Sequence, residues 1–445
     1  MEENGKKRAV VLGGGGSRGS YQIGVWQAML ELGLEYHVVT GTSVGALNGA
    51  LMAQREFEAA YDLWWNMDNS RVMEGIPSDE GTPDSRLSVY RAFVREMVTK
   101  GGLDISPLEA TVRGVLDEEK LRSSGIDYGI VTVDMTSLKP VELFLEEMPR
   151  GEVADYMIAS ASCFPAFKPK TIRSARFIDG GYYDNLPVEM ATRSRTPVDE
   201  IWAVDVEGIG VRRKFRPQVP LRTLRCYWDL GNILIFERDQ CRRNILLGYY
   251  DAMKEAGRYE GRAYVFLPGA MERLREARGP GMEELSRRIL EGLSPKARSA
   301  VEAMARARIA GSVGRRRVLA GDRLLLAAAE TAGELLGLEP VLEYTPEEFD
   351  RSLLERVKIQ QDRKGERQIT LEELKEAGPA GLAGVAASLG REFLLLSALE
   401  NLTQLLEGGE PLIRPEMLAL LIPREFVGSL YLLLLLGWRE GAQKL

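Results

Sequence analysis

The chain is almost without histidine: His37 stands alone among 445 residues. Chemistry that leans on an imidazole must use that one residue. A zinc site would have to be built from carboxylates and scattered cysteines, so no metal is expected. Cysteine is scarce as well. Cys163, Cys226 and Cys241 are odd in number, far apart and free of any CxxC pair, which predicts reduced thiols in a reducing compartment. An excess of positive charge is also missing. The 58 basic residues face 65 acidic ones, for a net charge of −7, and nucleic acid is not an expected partner. No apolar run is long enough for a bilayer: residues 426–438 give thirteen, against about 18 for a span. The opening MEENGKKR is charged and leads straight into a strand, with no apolar signal-peptide core. These absences predict a cytoplasmic protein whose contact with membranes, if it has any, is peripheral.

What is present centres on residues 36–53, YHVVTGTSVGALNGALMA. A β-compatible run leads into Gly41-Thr42-Ser43-Val44-Gly45, and a small-residue run with good helix propensity follows. The pattern reads strand, sharp turn, helix, with Ser43 at the apex, which is the form of a nucleophile elbow. So tight a turn needs neighbours almost without side chains, and Gly41 and Gly45 supply them. The turn also puts Ser43 at a helix N-terminus, where free N–H groups favour developing negative charge. Alone, the five-residue pattern is weak, since a glycine-flanked βα turn has the same form.

Upstream, residues 8–12 (RAVVL) read as a buried strand, followed by Gly13 to Gly16, Ser17-Arg18-Gly19-Ser20, and a helix over 21–32. Successive glycine N–H groups after a strand form an anion-binding nest, for a phosphate or a transient oxyanion. Gly14, Gly16 and Gly19 also spell G-x-G-x-x-G, which raises a dinucleotide-binding alternative. That fold needs an acidic residue at the end of the second strand, and there the chain has Gly41-Thr42-Ser43; no Walker lysine follows Gly19 either. Nucleotide binding is the weaker reading.

After a mostly helical stretch over 56–122, strands are expected at 128–134 and 141–145, a short helix at 153–160, and a strand at 176–178. That last strand ends in Asp179-Gly180-Gly181, with Asn185 and Pro187 closing the loop. By itself an aspartate before two glycines is an ordinary turn initiator.

Together, Gly14-Gly15-Gly16-Ser17-Arg18-Gly19, Gly41-Thr42-Ser43-Val44-Gly45, Ser162 through Pro165 and Asp179-Gly180-Gly181 resemble the four motif blocks of the patatin-like phospholipases, in order and in approximate spacing. Residues 244–251, NILLGYYD, resemble the end of the bacterial versions of that domain. The resemblance covers roughly residues 6–268. It implies a three-layer α/β fold with a mainly parallel central sheet, a Ser43–Asp179 dyad, and hydrolysis of lipid carboxylic esters. The residues agree independently. No histidine follows position 37, whereas an α/β-hydrolase triad places its histidine after the serine. The proton acceptor must be another group, and Asp179 is the best placed. A carboxylate can do this only if held close and partly desolvated, with the oxyanion stabilised as it forms. Gly14, Gly15 and Gly16 are the candidate donors. Gly41, Gly45, Gly180 and Gly181 shape the two loops. Arg18 either orients the glycine loop, attracts an anionic head group, or merely pairs with a surface carboxylate. No organic cofactor is required. The expected substrate is a phospholipid or other lipid ester, and the oligomeric state is left open. A lipid sensor or scaffold that keeps the fold and turns over slowly is the alternative of a different class.

The division into domains is expected at Pro268-Gly269, giving a catalytic domain over 1–268 and a helical domain over 269–445. Thr345 and Thr370, each with a glutamate three residues later, look like helix starts. Residues 271–323 hold 13 basic and 7 acidic side chains. They read either as a solvated helix face or as a site of attraction to anionic lipid. The leucine run at 430–436 reads as an interfacial anchor, a buried helix or an oligomer contact.

Overall fold

The computed structural model describes residues 5–74, 76, 88–89, 91–92, 95, 102–309, 322–364 and 390–437. The chain divides into two compact units, Met1–Met253 and Lys254–Leu445.

The first unit is built on a sheet of eight strands: β1 (Arg8–Leu12), β2 (Val38–Thr42), β3 (Asp127–Asp134), β4 (Lys139–Phe144), β5 (Lys170–Ile172), β6 (Ala175–Asp179), β7 (Glu200–Val204) and β8 (Leu221–Leu224). Their order is β5-β6-β3-β2-β1-β7-β8, with β4 paired to β3 off that path. The run β3-β2-β1-β7-β8 is parallel, and β4, β5 and β6 join it antiparallel. The sheet is therefore mainly parallel, and its central strands β1, β2 and β7 are buried along their whole length because both faces are covered. On one face Ala9, Val11, Val38, Ile201 and Ala203 pack with Val188 and Ala191 of the short helix Val188–Thr192. On the other lies α2 (Val44–Gln54), following α1 (Ser20–Glu31) in the chain order. This gives the expected three layers. Two short edge strands, β5 and β8, were not expected. Each has three or four residues and half-exposed side chains, too little pattern to read.

Two glycines make the α2 approach possible. A Cβ on Gly41 would lie 2.2 Å from the carbonyl oxygen of Gly45, and one on Gly45 would lie 2.2 Å from that of Leu12. Either side chain would push α2 off the sheet.

The second unit is helical, as expected, with one addition. Strands β9 (Val265–Phe266) and β10 (Glu343–Tyr344) form a parallel pair, around which Tyr264, Tyr344 and Phe349 meet edge to face and Phe266 packs at a tilt on Phe349. Strand β9 thus belongs to the second unit. The observed division falls before it, whereas the expected one followed it at Pro268. Thr345 caps the helix Pro346–Lys364 with Glu348 in a reciprocal pair of hydrogen bonds; Thr370 lies outside the described residues. Helix Pro423–Leu435 is a core element, since Leu430, Tyr431, Leu432 and Leu433 are buried. Its leucine run is therefore the buried-helix reading among the alternatives. In the basic stretch, Arg287 and Arg288 pair with Glu284, and Arg278 with Asp350. Arg315, Arg316 and Arg317 lie outside the described residues.

Candidate active site

The strand register brings Ser43 and Asp179 together. Thr42 pairs with Val131 across β2 and β3. Thr132, the next residue, pairs with Asp179 across β3 and β6. Ser43 follows Thr42, so it and Asp179 stand at one level on either side of β3. Ser43 lies close enough to Asp179 to pull its carboxyl pKa downward.

Ser43 occupies left-handed backbone, φ 54° and ψ −127°, at the N-cap of α2. A non-glycine residue there is strained, and such geometry persists where surrounding structure holds it. Ser160, at the end of helix Val153–Ser160, does part of that holding. Its Oγ accepts the Ser43 N–H at 2.9 Å and donates to the Val131 carbonyl at 2.6 Å. The strand β3 therefore fixes the serine through a third residue.

Asp179 is 5 % exposed. Burial pushes its carboxyl up to about 6, against the opposing pull of the Gly181 N–H hydrogen bond and of the nearby Ser43 hydroxyl. The Gly181 bond is 2.7 Å long. The neighbouring Cys163 thiol is driven up to about 12 by burial and by the Asp179 charge, so it stays protonated at neutral pH and is no competing nucleophile. Asp184 is a second buried carboxyl raised to about 6, chiefly by burial. Its carbonyl oxygen takes the Thr42 hydroxyl at 2.8 Å.

The glycine loop lies against the serine: a Cβ on Gly14 would be 3.0 Å from that of Ser43. Of the three expected donors, Gly14 is already engaged. Its N–H donates to the Asn185 carbonyl at 3.0 Å. This corrects the expected set, because a spent N–H is not available to an oxyanion. The N–H groups of Gly15 and Gly16 have no protein acceptor among the described residues. Arg18 is a loop clamp. Its guanidinium donates to the carbonyls of Gly231 at 2.8 Å and Glu207 at 2.9 Å, with Asp229 3.8 Å away. Of its alternatives, the loop-orienting one matches these contacts.

A buried polar chain that sequence reasoning missed supports the same loop. Gln22 donates to Gly13 O at 2.7 Å, Asn48 donates to Gln22 at 2.8 Å and to Gly19 O at 3.0 Å, and Trp64 donates to Asn48 at 2.8 Å. No motif marks these residues; only a polar pair on otherwise apolar helices hints at them. Trp64 is buried and also satisfies Asn48.

An apolar pocket opens at Ser43. Leu47, Leu51, Met67, Leu108, Val112 and Phe236 are among the side chains that line it. His37 lies at the far end of the sheet. Its N–H bonds to Arg8 O and its carbonyl to Asp127 N–H, at the start of the strands. Six residues of strand, about 3.3 Å each, separate it from the serine. Among the described residues no cluster of side chains could hold a metal ion, and no helix is long and apolar enough to cross a membrane.

Residues 10–192 match the family model described as Patatin-like phospholipase. The rat "Patatin-like phospholipase domain-containing protein 7" is 27% identical over 209 residues, which is 45% of this chain and 14% of that protein. "Lysophospholipase nte1" of Aspergillus terreus is 25% identical over 216 residues, 46% of this chain and 12% of that protein. The chain thus matches only a small part of the length of these relatives. The crystal structure of VipD from Legionella pneumophila aligns over 96% of this chain and 92% of that one, at 14% identity and a TM-score of 0.34, too loose a superposition to add to the fold above. The glycine loop, the elbow and the Asp179 loop all fall within the matched stretch, and residues 10–192 are a patatin-like phospholipase domain.

Proposed function

We propose that the protein is a serine lipid acyl hydrolase that cleaves carboxylic esters of glycerophospholipids or their single-chain forms through an acyl-enzyme on Ser43. The observation that carries this reading is the buried Asp179 carboxyl, raised to about 6 and brought level with Ser43 by the β2-β3-β6 register, beside a pocket with apolar lining. The names of the matched relatives, phospholipase and lysophospholipase, favour the same substrate class.

In the first half-reaction Asp179 takes the Ser43 hydroxyl proton as Oγ attacks the ester carbonyl carbon. The raised carboxyl makes this transfer less uphill than for an ordinary aspartate. The tetrahedral oxyanion is held by the N–H groups of Gly15 and Gly16, with the N-terminus of α2 adding to the field; one such donor is worth about 2.7–4 kcal/mol. Collapse expels the lipid alcohol, which receives the proton from Asp179. Water then attacks the acyl carbon and loses a proton to Asp179; the bond to Ser43 Oγ breaks, Asp179 returns the proton to Oγ, and the fatty acid leaves. The acyl chain lies in the apolar pocket throughout. Substrates of this kind reside in membranes, so the reading includes peripheral contact with a lipid surface.

A fluorophosphonate ester tests the proposal. Covalent labelling at Ser43, together with release of fatty acid from a phospholipid and lysophospholipid panel, is the expected result. Lipid binding without labelling or turnover would leave a lipid-binding protein and overturn the hydrolase.

A further inference from the structure

An apolar patch lies beside the Asp179 loop, on the segment that follows β7. Ile209 is 80% exposed, Val211 51% and Tyr182 49%. They are neighbours: Val211 N–H donates to Gly181 O at 2.8 Å, and Val211 O accepts the Asn185 N–H at 2.7 Å. Tyr182 is one residue beyond Gly181 and donates its hydroxyl to Phe164 O.

This exposure is not slack in a loop. Glu207 N–H is bound to the buried Asp205 carboxylate at 3.0 Å, and Glu207 O is held by Arg18 at 2.9 Å. Downstream, Phe215 and Val219 pack against the core cluster under β1 and β7. The segment is tied at both ends and in the middle, and it presents Ile209 outward. A large aliphatic side chain held in water beside a site for lipid esters calls for an apolar phase to receive it.

The flanking charge says which phase. Residues 207–220, EGIGVRRKFRPQVP, carry four basic side chains and one acidic. Arg212 is paired with Asp205 at 3.0 Å and Arg213 with Glu189 at 2.9 Å. Lys214 and Arg216 are exposed and have no carboxylate partner among the described residues. Aliphatic tips bordered by uncommitted cations match the boundary between acyl chains and anionic head groups.

We infer that residues 207–216, with Tyr182, are the surface that docks the catalytic unit on an anionic lipid bilayer: Ile209 and Val211 enter the acyl boundary, and Lys214 and Arg216 lie at the phosphate level. This rests on the hydrolase reading only in naming the bilayer as the source of substrate. The earlier basic stretch at 271–323 plays no part in it.

The test uses the full chain carrying Ser43→Ala, so that vesicles survive the measurement. Vesicles are equal parts phosphatidylcholine and phosphatidylglycerol, or phosphatidylcholine alone. In sedimentation, Ile209→Ser/Val211→Ser should weaken binding to the mixed vesicles about tenfold, the scale of losing buried aliphatic area. Lys214→Gln/Arg216→Gln should erase the preference for the anionic vesicles and flatten the dependence on salt. Ile209→Trp should shift its fluorescence to the blue on vesicles. Unchanged sedimentation of the Ile209/Val211 variant with an unshifted Ile209→Trp emission would overturn the docking surface. So would a vesicle-free dimer, seen by sedimentation velocity, that the same variant dissolves, since the patch would then receive a second copy. Fluorophosphonate labelling of the unmutated protein decides the hydrolase reading separately.

Discussion

Asn185 grips Gly14 twice: its carbonyl accepts the Gly14 N–H at 3.0 Å, and its side-chain amide donates to the Gly14 carbonyl at 3.0 Å. These two bonds tie the loop that carries Asp179 to the glycine loop beside Ser43. Asn185→Leu keeps the volume and removes the side-chain donor, leaving a buried carbonyl unpaired. We expect kcat to fall about 10–100-fold, the scale of a loop misplaced by an ångström or less, with a smaller change in KM. Steady-state kinetics on a soluble ester checks this.

Asp179→Asn should separate activity from stability. An amide cannot take the serine proton, so activity should drop by about 10³–10⁴, as for loss of a member of a catalytic set. Stability should move the other way. The folded carboxyl titrates near 6 against a reference of 3.8. Its favourable contribution is complete below 3.8 and is lost as pH rises through 6. Above 6 the buried charge costs about 3 kcal/mol. Urea denaturation above pH 6 should find Asp179→Asn more stable than the parent, and a lower midpoint would contradict the burial argument.

The pH–rate profile should carry one limb, rising with pH and levelling above about 6 as Asp179 ionises. His37→Asn should retain both the limb and most of the activity, because that residue lies at the opposite end of the strands. Asp184→Asn is the necessary control. Its carboxyl is raised to the same region, but Ser43 acts on the Asp179 carboxyl and not on that of Asp184, so the limb should persist without Asp184. A limb that disappears with His37 would refute the dyad.

Leu47, one turn into α2, lines the pocket beside Ser43. Leu47→Trp should narrow it at the point an acyl chain must pass. The ratio of kcat/KM for long-chain over short-chain esters should fall by about tenfold or more, while Ser43 remains open to the label. An unchanged ratio would mean that the chain leaves by another route.

How legible this site was depended on where each residue lies. Ser43 and the glycine loop were readable because strained turns admit few residue types, and strain leaves a local signature. Asp179 was readable only in combination, since its own motif is an ordinary turn. Ser160 and Thr132 left no trace: a serine at a helix end and a threonine in a strand are commonplace, and their meaning comes from the β2-β3-β6 register. The Gln22–Asn48–Trp64 chain was hidden for the same reason, because its members join three helices through side chains. The over-assignment of Gly14 as a donor was a different error. Sequence can show that an N–H faces an anion nest but not that Asn185, 171 residues later, already uses it.

The β9–β10 pair also bears on dissection of the chain. A fragment ending at Pro268 would retain Tyr264 and Phe266, fully buried in the whole protein, without Tyr344 and Phe349 to enclose them. It would end in a sticky aromatic tail with an unpaired strand edge, an invitation to aggregate. Trimming to the glycine at 257 removes the tail together with the strand, so the shorter fragment should be the better behaved in solution.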